Sequence, residues 1–337
     1  MQKIYYKDNL FSVEGAVSIE ENGMYTSPWR IDFKKKDFFP FLNQSHLGEA
    51  AAGVRLVFST DSTKIGIHLY EVLQNETGFH SRMTLDLVVN GRLMETLVLD
   101  QGINEYIFRQ QLTDTNDIEI WLDQAWPVRF RYVLIDDGAR MSKKKDKRKR
   151  WVNYGSSISH SVRASSPATT WPAMVALERN LHLTNLGFGG NCMLEPMMIK
   201  VLRDLKADFF TIKPTANIIN GTYNSRSYGP AIIGMIDTIR ERHPYTPLFL
   251  ISAIYCPDYE ERREKTDISL SDMRKILSEI VDLYNIHGDR NVHYINGLDI
   301  MGAEALNVMS DRVHPDAGGQ SVLAEGFIRE VLDRHNL

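Results

Sequence analysis

The sequence predicts two folds in series. An all-β sandwich of the jelly-roll kind spans residues 1–140, and an α/β domain with a parallel sheet and helices on both faces spans 151–337. Three observations predict this. Apolar residues alternate with period two in the first part, the period lengthens after Trp151, and a basic run separates the two regimes.

The β part is read first. Ile65, Ile67 and Leu69 alternate with Gly66, His68 and Tyr70. Met83, Leu85, Leu87 and Val89 alternate as well, and they run into Asn90-Gly91, a strong signal for a two-residue hairpin turn. Ile118, Ile120 and Leu122 repeat the pattern, as do Val128, Phe130 and Tyr132. One apolar face per strand means an antiparallel sheet with one side buried, and several such strands make a sandwich. It should close near Asp137-Gly138. Trp29, Trp121 and Trp126 are candidate ring-stacking residues, although tryptophans in a sheet are more often buried.

Residues 141–150 read as a basic linker, since seven of the eight residues from Lys143 to Arg150 are Lys or Arg. A patch for an anionic partner is the weaker reading, because no aromatic residues interleave.

Beyond Trp151 short apolar runs alternate with helical ones: "WVNYG", "ATTWPAMVALERNL", "LTNLGFGG", "PMMIKVLRDLK", "ADFFTIKP", "AIIGMIDTIRERH", "PLFLISAIY", "SDMRKILSEIVDLYNIHG" and "NVHYING". Met273, Ile276, Leu277, Ile280 and Tyr284 share one helical face, and Val322, Leu323, Phe327, Ile328 and Val331 share another. Strand–helix alternation implies a parallel sheet, and such sheets carry their sites at the carboxyl ends of the strands.

Four strand exits hold chemistry-bearing residues. The first is Gly155-Ser156-Ser157, where a serine between strand and helix is either a cap or an exposed nucleophile. The second, "NLGFGGNCM", puts Gly190 where a backbone amide could face a pocket; it lacks the spacing of a phosphate loop. The third, "TIKPTANIIN", offers the Asn217 amide as a donor to an oxyanion or as a turn cap. The fourth, "DRVHP", places Asp311 three residues before His314, a spacing found at no other of the ten histidines. A carboxylate on one ring nitrogen fixes the tautomer that a general base needs. His160 is a rival base, three residues after Ser157 and without a nearby acid.

Taken in order, these blocks resemble the SGNH hydrolases, also called the GDSL family, whose blocks supply Ser, Gly, Asn and His. "GSS" resembles the family's "GDS" and "NLGFGG" its glycine block; "TANI" corresponds to the asparagine block and "DRVHP" to "D-x-x-H-P". Ser156, Thr215 and Ile218 depart from the family pattern. The resemblance implies a flavodoxin-like α/β fold and a Ser157–His314–Asp311 triad. It also implies an oxyanion hole made by the Ser157 and Gly190 amides and the Asn217 side chain. A β-sandwich ahead of such a domain resembles two-domain carbohydrate esterases and also an acyltransferase branch of the superfamily. The expected function is a serine esterase removing small acyl groups, acetyl above all, from a carbohydrate or glycoside. The alternatives are an acyltransferase with the same triad acting on a small-molecule acceptor, and a non-catalytic glycan-binding protein.

No cofactor and no metal are expected, as there is no H-E-x-x-H and no clustered Cys/His set. The partner is then a small-molecule or carbohydrate ester, and the β-domain could also make a homo-oligomer contact. A formal net charge of -4 argues against nucleic acid. No apolar stretch nears the ~18 residues of a membrane span. Two cysteines make no disulfide framework, and "MQKIYYKDNLFSVEG" has no apolar leader, so a cytoplasmic location is expected.

Overall fold

A computed structural model describes residues 1–73, 82–215 and 217–337, the side chain of Asn220 excepted. The chain divides into two compact units: residues 1–148 with 164–185, and residues 149–163 with 186–337.

The first unit contains two antiparallel sheets. One orders Ser18–Glu21, Thr26–Trp29, Phe130–Ile135, Ile65–Leu69 and Glu105–Ile107, with Gln2–Ile4 also paired to Phe130–Ile135. The other orders Met141–Ser142, Arg55–Thr60, Asn116–Trp121, Thr84–Val89 and Arg92–Val98, with Ser12–Glu14 paired to Arg55–Thr60. Leu56, Phe58, Leu85, Leu87, Ile118 and Ile120 of one sheet join Ile65, Ile67, Phe130 and Val133 of the other in one apolar cluster. These are the alternating residues of the sequence, which is how period two becomes a sandwich core. Asn90 and Gly91 both have positive φ (50° and 78°) between the paired strands Thr84–Val89 and Arg92–Val98. That is the backbone a tight hairpin requires.

One expectation needs correcting. Thr84, Asp86 and Val88, on the face opposite Leu85 and Leu87, are buried too. Residues 164–185 belong to the same unit, and the Ala168 N–H donates to Asp86 Oδ2 at 2.7 Å. The second face is therefore covered by a stretch of chain that follows it by about eighty residues, which strand periodicity does not reveal. Trp29 and Trp121 are buried and their indole N–H groups donate to Glu20 and Glu119, so neither ring is a free platform. The basic run is not uniformly solvated: Met141–Ser142 pairs with Arg55–Thr60, and the largely covered Arg148 side chain pairs with Glu14, Glu119 and Asp146.

The second fold is a five-stranded parallel sheet in the order His182–Gly187, Arg150–Gly155, Phe209–Ile212, Leu248–Ile251, Val292–Ile295. In chain order that is 2-1-3-4-5, so the winding reverses beside the strand Arg150–Gly155. Ligand sites form at such a switch point, outside the carboxyl ends of the strands. Helices Pro196–Asp204, Tyr228–Arg240, Leu270–Ile286 and Ala317–Phe327 accompany the sheet. Leu270–Ile286 starts at a capping box of Ser269 and Asp272 and buries Met273, Leu277 and Ile280, as the 3.6-residue pattern requires. Among the described residues no helix is long and apolar enough to cross a membrane.

Candidate active site

The strand Arg150–Gly155 ends in a single helical turn, Ser157–His160, terminated by Ser161 in the left-handed region at φ 59°. The turn is shorter than the helix expected from sequence, so any field on an anion here comes from local N–H groups. Two glycines let the turn fold against its surroundings. A Cβ on Gly155 would lie 2.3 Å from Ser159 Oγ, and one on Gly187 would lie 2.3 Å from the His160 nitrogen. The buried Ser156 is the cap residue, but its hydroxyl makes no capping bond. Ser157 is half-buried, and its Oγ lies 2.8 Å from His314 Nε2.

His314 is held by the short turn that precedes the helix Ala317–Phe327. Asp311 Oδ1 accepts from the backbone N–H groups of Val313 (3.1 Å) and His314 (2.7 Å), while Asp311 Oδ2 lies 2.9 Å from His314 Nδ1. Asp311 is thus both the turn cap and the imidazole's partner. Burial works to raise its pKa, but the backbone and ring hydrogen bonds from His314 outweigh it and bring it down to about 2. An ionised carboxylate only accepts, so Nδ1 carries a proton, and Nε2 is the ring nitrogen that faces the Ser157 hydroxyl. The rival His160 is buried, and its Nδ1 accepts from the Gly189 N–H at 3.3 Å.

The surroundings of Gly190 and Asn217, the other two residues expected to face an oxyanion, are as follows. Gly190 adopts φ 71°, where a side chain would be strained, and a Cβ there would meet nothing within 4 Å. Asn217 is buried and makes no capping bond. Its Oδ1 instead accepts from the Cys192 N–H at 3.0 Å, which assigns the amide orientation and makes Nδ2 the donor end. Thr215, in place of the family's glycine, is buried, while Ala216 of "TANI" lies outside the described residues.

Sequence reasoning missed several residues here. Arg163 Nη2 donates to Asp311 Oδ2 at 2.7 Å, and Nη1 donates to Ser310 Oγ. Lys213 follows the third strand; burial brings it down to about 8 and pushes the free thiols Cys192 and Cys256 up to about 12. Its only sequence signal was a lysine ending an apolar strand, a weak one. Ligand atoms of Glu14, Asp146 and His182 lie within 4.8 Å of one another, but Arg55 and Arg148 already occupy those carboxylates.

A 2-1-3-4-5 parallel sheet with hydroxyl, imidazole and carboxylate within hydrogen-bond distance beside its switch point is an arrangement that fits α/β enzymes of the acyl-hydrolase and acyl-transfer class. The chain belongs to the GDSL-like lipase/acylhydrolase family, whose profile matches residues 148–331. The profile of the SsfX3 N-terminal domain matches residues 11–128. Among solved structures, the chain is similar to a salicylyl-acyltransferase, SsfX3, from a tetracycline biosynthetic pathway: 28% identity, 100% of this chain and 98% of that one covered, TM-score 0.91. It also resembles in fold a protein described as a GDSL-like lipase from Bacteroides ovatus, with 18% identity, 99% and 98% coverage and TM-score 0.80. A family two carbohydrate esterase from Clostridium thermocellum, solved with cellohexaose, shares the fold at 12% identity, 85% and 94% coverage and TM-score 0.65. No curated protein matches the chain.

Proposed function

We propose that the protein is a serine esterase that forms an acyl-enzyme on Ser157 and hydrolyses small acyl esters, acetyl esters of a carbohydrate or glycoside being the first substrates to try. The observation that carries this is the relay of 2.8 Å from Ser157 Oγ to His314 Nε2 and 2.9 Å from His314 Nδ1 to Asp311 Oδ2. Ser157 Oγ attacks the ester carbonyl as Nε2 takes its proton. Asp311 holds the ring and balances the imidazolium. The proton then passes to the departing alcohol, and water, activated by the same nitrogen, releases the acid and restores Ser157. The Ser157 and Gly190 amides and Asn217 Nδ2 serve as donors to the oxyanion, each worth about 2.7–4 kcal/mol in the transition state.

A second reading is favoured by a specific observation, the match to an acyltransferase along the whole chain. There a small-molecule alcohol or amine, not water, takes the acyl group from Ser157. Hydrolysis of p-nitrophenyl acetate, followed by product analysis with and without added alcohols, separates the two. Free acetate alone supports the esterase. A transferred ester formed in preference to acetate at millimolar acceptor supports the transferase. No p-nitrophenol release and no acyl-enzyme with acyl donors from acetyl to aromatic would remove both.

A further inference from the structure

Arg163 sits six residues after Ser157, two past the left-handed Ser161. Its side chain is only 12% exposed, whereas that of Asp311 is 39% exposed. An aspartate so open to water would normally rotate and hydrate freely. Here all its acceptor capacity is used: Oδ1 takes the Val313 and His314 N–H groups, and Oδ2 takes Arg163 Nη2 beside His314 Nδ1. Arg163 reaches the same turn a second time through Ser310 Oγ. The turn is also tied by the Ser310 N–H on the His314 carbonyl at 3.2 Å, and it contains Arg312 at φ 63°.

We propose that Arg163 is a positioning residue for the Asp311–His314 pair, its guanidinium locking the carboxylate in line with Nδ1 while opposing build-up of positive charge on the imidazole. This rests on the Ser157 acyl-enzyme reading. The geometric part follows from the fork: two donors from one planar group fix both Asp311 and its neighbour Ser310, so the carboxylate cannot swing out to solvent. The electrostatic part follows from the sharing of Oδ2. A fixed cation 2.7 Å from the oxygen that also serves Nδ1 competes for its negative charge.

The other charged and titratable groups near the pair do not do this. Arg312 is engaged by Asp258 at 3.0 Å. Cys256, in the loop after Leu248–Ile251 and within electrostatic range of Asp311, is driven up to about 12 by burial and stays an uncharged thiol. Among the described residues no other cation is bonded to Asp311. Ser157, Ser161, Arg163, His314 and Gln320 also line one small cavity, so the clamp and the relay share a wall.

The test uses the full chain carrying Arg163→Gln or Arg163→Lys, with kcat/KM for p-nitrophenyl acetate followed from acidic to neutral pH and folding checked by thermal melting. Arg163→Gln should lower kcat ~10-fold with KM little changed, since slight misplacement of a catalytic group is costly. It should also move the acid limb of kcat/KM to higher pH by roughly half to one unit, the sign expected when a nearby cation is removed. Arg163→Lys keeps the charge without the fork: the limb should return to its original position while kcat recovers only in part. A fall in kcat with the limb unmoved in Arg163→Gln overturns the proposal, as does full activity in that variant. Should Arg163→Gln fail to fold, Arg163→Lys decides alone, and a limb displaced there overturns the proposal. Ser157→Ala run in parallel separates the two levels. Turnover retained by Ser157→Ala overturns the parent reading and this one together, whereas an inactive Ser157→Ala beside an unaltered Arg163→Gln overturns only the role of Arg163.

Discussion

The chain contains two carboxylate–imidazole pairs of nearly the same geometry in its two compact units. Asp311 and His314 meet at 2.9 Å, and Asp146 and His182 at 2.7 Å. Each acid also receives an arginine, Arg163 at 2.7 Å and Arg148 at 2.8 Å. Their surroundings differ. The side chains of Asp311 and His314 are 39% and 28% exposed, and the free ring nitrogen faces a serine hydroxyl. Asp146 and His182 are 11% exposed and lie in a buried lattice of charges with Glu14, Arg55, Glu119 and Arg148. An Asp–His contact is therefore no sign of catalysis in itself. A hydroxyl on the second nitrogen and access for a substrate make one pair a candidate relay, while dense mutual pairing makes the other a structural element.

Mutations should separate the two pairs sharply. Ser157→Ala has the largest expected effect, a loss in kcat of roughly 10⁴-fold or more with the fold intact; a variant turning over p-nitrophenyl acetate at the original rate would end the comparison. Asn217→Ala should cost about 10²–10³-fold in kcat, the measured range for one oxyanion donor. A change confined to KM would show that the Asn217 amide contacts the ground state instead. His182→Ala should leave kcat per folded molecule unchanged and lower stability by about 1–3 kcal/mol in urea unfolding, the range for a lost buried polar contact. A drop in kcat comparable to that of Ser157→Ala would make the buried pair a functional one.

The smallest effect is pH-linked. Burial works to raise the Asp146 pKa, but hydrogen bonds from His182 and Arg148 hold it well below the usual carboxylate range. A folded-state pKa below the unfolded one, about 3.9, contributes stability that is complete above that value and is lost as pH falls toward the folded one. Asp146→Asn should therefore be less stable than the parent at pH 7, and the gap should narrow below about pH 4. Urea midpoints at pH 7 and pH 3 read this directly, and a gap that widens in acid would reverse the assignment.

Much of this was legible because the signals were local. Asn90-Gly91 names its own turn, since two adjacent residues with positive φ favour that pair. Asp311 and His314 are three residues apart, so one turn suffices to join them. Ser157, Gly190 and Asn217 stood at strand exits, where a parallel sheet concentrates its chemistry. What stayed hidden depends on chain segments far apart. Arg163 reaches a residue 148 positions away, and His182 meets an aspartate 36 positions earlier. Neither contact has a periodicity or a motif. Gly187 read as one glycine among several in "NLGFGG", yet it is the one against which the His160 backbone packs, a constraint visible only in three dimensions.

The central claim is that Ser157 becomes acylated. Incubation with a fluorophosphonate, followed by intact-mass analysis and peptide mapping, tests it most directly. The account predicts a single adduct on the peptide carrying Ser157, absent in Ser157→Ala and slowed in His314→Ala. An active preparation that takes up no label, or labels with equal speed at another residue, would contradict it.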